Sequence, residues 1–268
     1  MKHKLTFLAI LAVITFASCE KENETTDPVG GDTPAAAPSK KLKKVSVSWP
    51  GNDGGSYDYV WEGDKLKSVT LHNVNDIMDE IYTFTYSGDK LSKANYRCDH
   101  ESRTYECVYT WNGDQISTEK YTEYDYGSTD VLTYHYTYSG NKPTRLAIYW
   151  EGDPEPDQLN LAWTGNNITQ YYYDDDDDEI TFTYDNKKNP LYLPHMGYVP
   201  GFLSGIGLHT ICWSENNITH FEVSDTKGGD SGDGVGNYTY TYDDDGYPST
   251  MTFTVDNKTY TLVYTYYE

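Results

Sequence analysis

The feature that most limits what this chain can fold into is a repeat. A strand-like stretch, a tight turn and a second strand-like stretch return about every twenty-five residues. YDYVWEGDKLKSVTL starts at Tyr57, YTFTYSGDKLSKANY at Tyr82, YECVYTWNGDQISTEKY at Tyr105 and YHYTYSGNKPTRLAI at Tyr134. LNLAWTGNNITQYYY follows from Leu159, ITFTYDNKKNPLY from Ile180, HTICWSENNITHFEV from His209 and YTYTYDDDGYPSTMTF from Tyr238. The aromatic before each turn is Trp61, Tyr86, Trp111, Tyr138, Trp163, Tyr184, Trp213 and Tyr242. Self-similarity of this length marks an architecture built from one supersecondary unit.

Each unit reads as a β-hairpin. Before the turn, aromatics alternate with small polar residues, as Tyr82, Phe84 and Tyr86 do with Thr83 and Thr85. A period of two with β-formers is a half-buried strand. Gly88-Asp89, Gly113-Asp114 and Gly140-Asn141 supply residues that tolerate positive φ. After the turn the apolar positions fall at x, x+3 and x+5, as in Leu66, Val69 and Leu71 or Ile218, Phe221 and Val223. The extra residue predicts a β-bulge that keeps all three side chains on the aromatic face.

Eight hairpins supply sixteen strands, and Val45–Trp49 and Tyr260–Tyr266 would bring the total to about eighteen. The expectation is an all-β, antiparallel up-and-down meander of 16–18 strands, each roughly six to eight residues, forming a closed or flattened barrel. An even number lets the first and last strands pair, and closure removes both edges. One rim would carry tight turns and the other longer, acidic or Gly-rich loops. Outside the leader only a possible turn near Asn75–Glu80 interrupts the strands.

Ahead of the repeats lie two segments of different character. Lys2 and Lys4, an apolar run from Leu5 to Phe16 and Ala17-Ser18-Cys19 have the three parts of a secretory signal. Small residues directly before Cys19 resemble a bacterial lipobox. That resemblance implies cleavage after residue 18 and lipid on Cys19, anchoring the protein without a spanning helix. Residues 19–41 are polar and Pro/Gly-containing and read as a disordered tether. Within it, Glu20-Lys21-Glu22-Asn23-Glu24 resembles the acidic export tag of surface lipoproteins in some gut Gram-negative bacteria. Residues 42–268 form a single hairpin-repeat domain. Its units resemble YD-type repeats. With the lipobox, the Y-x-Y-x-x-G-D/N-K-L units and the YDNKKNPL and YDDDGYP segments, the chain is similar to a family of gut-bacterial lipoproteins described as having a porin-like fold. The resemblance implies a barrel-like meander at the outer membrane, surface-exposed or facing the periplasm, and no particular activity.

A porin-like fold raises the question of a pore. Lipid-spanning strands need about 9–11 residues and an apolar outer band with aromatics gathered in two girdles. Here aromatics run along the whole strand, so the aromatic face is expected to point inward and a wide ring must flatten or be plugged. The segment NPLYLPHMGYVPGFLSGIGL, from Asn189 to Leu208, breaks the repeat and has no strand period. It is expected to cover one end or fill the lumen, with Tyr192, His195, Met196, Tyr198 and Phe202 as the residues of a ligand lid or plug.

The chain's chemistry points away from catalysis. A formal charge of −22 argues against nucleic acid, which needs clustered Lys and Arg. Mean hydropathy of −0.73 excludes a polytopic helical membrane protein. Gly229-Asp230-Ser231-Gly232 matches the nucleophile motif of chymotrypsin-like proteases but lies in a Gly-rich loop without a fitting His. The runs Asp174–Asp178 and Asp243-Asp244-Asp245-Gly246 lack the alternate spacing of a calcium loop, so weak surface Ca²⁺ binding is the most they suggest. No metal site, cofactor motif or enzyme is expected. Cys98 and Cys107 share the aromatic face around the DHESRTYE connection, so a disulfide between them is expected, with Cys212 left over. The functional expectation is a lipid-anchored envelope protein that binds or organises glycan, peptide or another envelope protein. The alternative is a porin-like channel.

Overall fold

The computed structural model describes residues 40–48, 54–73, 79–98, 103–174, 178–197, 211–225, 234–255 and 258–268. Sixteen antiparallel strands close into one up-and-down barrel. In chain order they are β1 (Leu42–Ser48), β2 (Gly54–Glu62), β3 (Lys65–Asn73), β4 (Asp79–Ser87), β5 (Lys90–Cys98), β6 (Thr104–Asn112), β7 (Gln115–Asp125) and β8 (Ser128–Ser139). They continue as β9 (Lys142–Trp150), β10 (Asp157–Thr164), β11 (Asn167–Tyr173), β12 (Asp178–Tyr184), β13 (Ile218–Asp225), β14 (Gly234–Tyr242), β15 (Pro248–Val255) and β16 (Lys258–Tyr266). Each strand pairs with its chain neighbours, and β1 closes the ring by pairing with both β2 and β16.

The expected bulges are present. Thr85 pairs with Lys93 and Tyr86 with Leu91, so Ser92 is the extra residue. The same skip leaves Lys67, Ser117, Thr144 and Thr169 unpaired in the corresponding hairpins. Thr219, Ser249 and Lys43 complete the set, the last at the β16–β1 seam. Several of these hydroxyls turn back onto the strand they face. Ser92 and Ser117 donate to the carbonyls of Thr85 and Thr110, both at 3.0 Å. The bulge thus restores the phase, and Leu91, Ala94 and Tyr96 are all buried on one face. In the turns, Gly88 and Gly113 take φ of 60° and 57° while the following Asp does not, as a II′ turn with Gly first requires.

Two expectations are corrected. Strands run from 7 to 12 residues, longer than the six to eight read from the sequence, so strand length does not separate this barrel from a lipid-spanning one. The unit assigned to Trp213 is not a hairpin: Tyr184 of β12 pairs directly with Ile218 of β13. The two repeats starting at Ile180 and His209 therefore share one hairpin, and residues 185–217 replace its two-residue turn. The sixteenth strand partner comes from the seam, where β16 and β1 pair as a hairpin would, with Tyr267 N–H donating to the Lys41 carbonyl at 3.0 Å.

The barrel's two ends differ. The turn end carries the short turns, the insert between β12 and β13 and the chain's entry at Lys40. The loop end carries mostly longer connections, although only two residues separate β7 from β8 and β15 from β16.

Candidate functional site

The lumen is lined by the aromatic row and filled in part by the segment inserted between β12 and β13. Asp185 and Asn217 close its neck: the Asp185 N–H donates to the Asn217 carbonyl at 3.0 Å, and the Asn217 side-chain amide donates back to the Asp185 carboxylate. Beyond that neck, Asn189, Leu191, Tyr192, Met196, Cys212, Trp213 and Ser214 are all buried. The Trp213 indole donates to the Met196 carbonyl at 2.6 Å, and the Leu193 N–H to the Cys212 carbonyl at 2.6 Å.

The insert reaches strands on several sides of the ring. The Trp213 ring stands edge-on to Tyr136 of β8, 6.3 Å between centroids. Ser214 Oγ accepts from the Ile168 N–H of β11 and pairs with the Tyr184 hydroxyl of β12. Gly197 lies so close to the wall that a Cβ there would sit 2.3 Å from the Tyr109 ring and 2.6 Å from a Glu119 carboxylate oxygen. Only a residue without a side chain fits that approach. The described parts of the segment, 185–197 and 211–217, thus pack inside the barrel wall, and the aromatic face points inward around them.

Of the residues expected to form this plug, Tyr192 and Met196 are buried in it. His195 is a correction: it is exposed and takes no part in the described packing. Tyr198 and Phe202 lie outside the described residues, as do Cys19, the Asn75 turn, the core of the Asp174–Asp178 run and Gly229–Gly232. Asp174 itself accepts from Arg145 at 2.9 Å and from the Asn160 amide at 2.6 Å. Asp243 is held by Lys40 at 2.7 Å and by the N–H groups of Asp245 and Tyr247.

The disulfide expectation is also corrected. Cys107 pairs with Ala94, whereas Cys98 lies beyond the Arg97–Thr104 pair, four residues further along β5. At about 3.4 Å per residue that separation is far past the reach of a disulfide. Cys98, Cys107 and Cys212 are free, buried thiols. Burial pushes the Cys212 thiol up to about 12, and burial followed by the charge of Glu119 pushes Cys107 up as well. Such thiols are poor nucleophiles.

Among the described residues, Glu80, Glu119 and Glu123 project from inward strand positions beside the tyrosine rows, and sequence reading had not singled them out. Glu119 on β7 is fully buried and accepts the Tyr136 hydroxyl. Burial first, and then its charge, raises the phenols of Tyr109 and Tyr134. Nearer the loop end, four rings run across β4 to β7: Tyr82, Tyr96, Tyr105 and Tyr121, with successive centroids 4.9, 4.6 and 5.4 Å apart. A carboxylate terminates this ladder on each side. Tyr82 donates to Glu80 at 3.3 Å, and Tyr121 donates to Glu123 at 2.8 Å, each bond spanning two residues of one strand. Arg103 Nε donates to Glu123 at 2.6 Å, and its guanidinium lies 4.9 Å from the Tyr105 ring centre. The signal for these residues was a break in the repeat. Glu119 sits at the x+3 position, where sister units have Val69, Ala94 and Phe221, and Glu123 sits where its neighbour unit has Cys98.

No family model matches the chain, and no curated protein matches its sequence. Among solved structures, a porin-like protein from Bacteroides uniformis shares 16% identity with a TM-score of 0.55, over 88% of this chain and all of that one. A porin-like protein from Bacteroides vulgatus shares 10% identity with a TM-score of 0.44, over 85% of this chain and 99% of that one. The first likeness supports the closed up-and-down barrel.

Proposed function

We propose that this is a lipid-anchored envelope protein whose plugged barrel stands in water and serves as a binding or structural module, not as a channel or an enzyme. The observation that carries this reading is the orientation of the barrel wall. Aromatic rings face the plugged lumen, and the outer row is polar: Thr83 and Thr85 on β4, Lys93, Asn95 and Arg97 on β5, and Thr250, Thr252 and Thr254 on β15. Ion pairs cross this outer face, including Lys93–Glu106 at 2.6 Å and His72–Asp58 at 3.0 Å. The exposed valines Val60, Val108, Val235 and Val263 fall on separate strands among polar neighbours, and the exposed rings Tyr124, Tyr126, Tyr149, Tyr172 and Tyr267 are scattered and form no continuous band. A lipid-embedded barrel needs the reverse, a continuous apolar outer band.

The chain enters the barrel at the turn end, where Lys41 meets Asp64 at 3.0 Å. Lipid on Cys19 would therefore leave the loop end free to meet glycan, peptide or an envelope protein. Localisation is the outer membrane, with the barrel on the cell surface or facing the periplasm. Two measurements test the reading. Cys19→Ala should stop palmitate labelling and release the protein into the soluble fraction. Wild-type protein added to planar bilayers should give no conductance; steady channel openings would return the porin-like alternative to first place.

A further inference from the structure

Glu80 and Glu123 are two ends of one tyrosine ladder, but among the described residues a cation meets only Glu123. Glu123 holds Arg103, whose guanidinium also lies against the Tyr105 ring. This is a charge-assisted bond beside a cation–π contact, the combination that selects planar cations. Glu80 has the matching surroundings. Tyr82 donates to it, and the Tyr57, Tyr82 and Tyr96 phenols all feel its charge after the larger effect of their own burial. Across the strand pair its neighbour is the Cys98 thiol, not a basic residue. Among the described residues only neutral hydroxyls reach it. A carboxylate held by neutral donors alone keeps its full charge for a cation to meet. A chain this acidic also raises the local concentration of cations around it.

We propose that the lumen wall around Glu80, Tyr57, Tyr82 and Tyr96 is a binding site for an organic cation, a guanidinium-bearing ligand, with Arg103 on Glu123 as the built-in pattern for its occupant. The site deepens the binding-module reading and rests on it. The cation would take the acceptor positions of Glu80 left by the Tyr82 and Tyr96 hydroxyls, with the tyrosine rings as walls. Its place near the loop end puts it on the side away from the tether.

The test is calorimetric titration of the full-length lipoprotein in detergent with butylguanidinium chloride, with butylurea as the neutral isostere and maltotriose as a neutral sugar. Butylguanidinium should bind at one site and butylurea should not. Glu80→Gln should weaken binding at least about tenfold, the scale of one charge-assisted bond, with little change in the denaturation midpoint. Arg103→Ala should vacate Glu123 and admit a second equivalent of butylguanidinium, a gain that general damage to the fold would not produce. Equal affinity for butylurea, unchanged binding in Glu80→Gln, or no second equivalent in Arg103→Ala would overturn the proposal. Titration by maltotriose alone would replace the cation with a glycan and leave the binding-module reading standing. If none of the three ligands binds, the cation site is lost, and the anchoring and conductance experiments still decide the wider reading on their own.

Discussion

The turn end and the loop end of the barrel are made from the same strands, yet they are held in different ways. At the turn end every unit grips the one before it. Trp61, Trp111 and Trp163 donate their indole N–H to the carbonyls of Leu42, Leu91 and Pro143 at 2.7–2.8 Å. Tyr86, Tyr184 and Tyr266 donate their hydroxyls to Leu66, Ile168 and Pro248, and Tyr240 does so to Ile218. The accepting residue is each time the one that faces the last aromatic of the preceding strand, directly before the bulge. A position that needs a ring and a donor together takes Trp or Tyr and not Phe; in the last unit Tyr240 makes the clamp and Tyr242 before the turn donates to Asp185 instead. At the loop end no such ring of bonds repeats among the described residues. Glu80, Glu123, Arg103 and the Trp150–Asp157 bond each occur once. The comparison teaches that the repeat encodes closure, while departures from it supply the chemistry.

The harshest test of that comparison is alkali. Burial pushes the turn-end phenols of Tyr86 and, nearer the loop end, Tyr238 up to about 12. Tyr82, Tyr96 and Tyr121 are raised further, by burial first and then by Glu80 or Glu123. A phenol whose folded value exceeds its unfolded one near 10 supports folding in full below pH 10. That support is lost as pH rises toward the folded value, at up to about 1.4 kcal/mol per group per pH unit. Many such groups acting together exceed a total stability of about 5–15 kcal/mol within a unit or two. Phenolate absorbance and loss of the near-ultraviolet circular dichroism should therefore appear in one step above pH 10. If a set of phenols ionises gradually while the dichroism persists, one end of the lumen is open to water.

Next in size is the contrast between plug and mouth. Trp213 is buried, packed edge-on against Tyr136 and hydrogen-bonded to Met196. Trp213→Ala should cost about 3–5 kcal/mol. Tyr260 at the loop end is half-buried and stacks on Phe253 at 4.9 Å. Tyr260→Ala should cost about 1 kcal/mol, the scale of one aromatic pair. Denaturant midpoints decide this, and equal losses would mean that the loop end is packed as firmly as the plug.

These differences also mark how far the sequence could be read. The hairpins, the bulges and the inward aromatic face were legible because each rests on local period and turn chemistry, repeated often enough to be seen. The plug was legible only as a break. Trp213-Ser214-Glu215-Asn216-Asn217-Ile218 copies the form of Trp163-Thr164-Gly165-Asn166-Asn167-Ile168, so it read as another hairpin. In the structure the two segments lie side by side, Asn166 donating to Glu215 and Asn167 to Asn216, both at 2.9 Å. The likeness is of a rim contact, not of a strand pair, and that distinction is tertiary. Cys98 and Cys107 misled for a related reason. Sharing a face was visible in the sequence, but their offset along the strands depends on a register set by the connection between them. The lumenal carboxylates were hidden among 42 acidic residues and emerge only once the inward positions are known.

A smaller effect isolates the turn-end clamp itself. Trp111→Phe keeps most of the ring and removes the donor, leaving the Leu91 carbonyl without its partner. A cost of about 1–3 kcal/mol is expected, against about 0.5 or less for Thr110→Ala on the outer face. Urea denaturation of the pair checks it. A neutral Trp111→Phe would reduce the clamp to simple packing and remove the explanation for the absence of Phe.

The smallest expected effect lies at the seam, where the clamp ring is closed by a pairing between the two ends of the domain. Lys40 reaches Asp243 at 2.7 Å and Asp245 at 2.5 Å, across more than two hundred residues of chain. Burial works to raise the Asp243 carboxyl, but the Lys40 ammonium and the N–H groups of Tyr247 and Asp245 outweigh it and hold the group below the usual carboxylate range. A carboxyl lowered in the folded state contributes above its unfolded value of about 3.9, and the contribution is lost as pH falls through the lower folded value. Both partners remain largely solvated, so the pair is screened by salt and weak. Asp243→Asn should therefore lower the urea midpoint at pH 6 by less than Trp111→Phe does, and the gap to wild type should narrow below pH 4. High salt should narrow it too. A gap that persists unchanged at pH 3 would show that Asp243 acts through its turn, by accepting the N–H groups of Asp245 and Tyr247, which an asparagine oxygen also accepts in part. The seam would then depend on the shape of the Asp243–Tyr247 turn more than on the charge of Lys40.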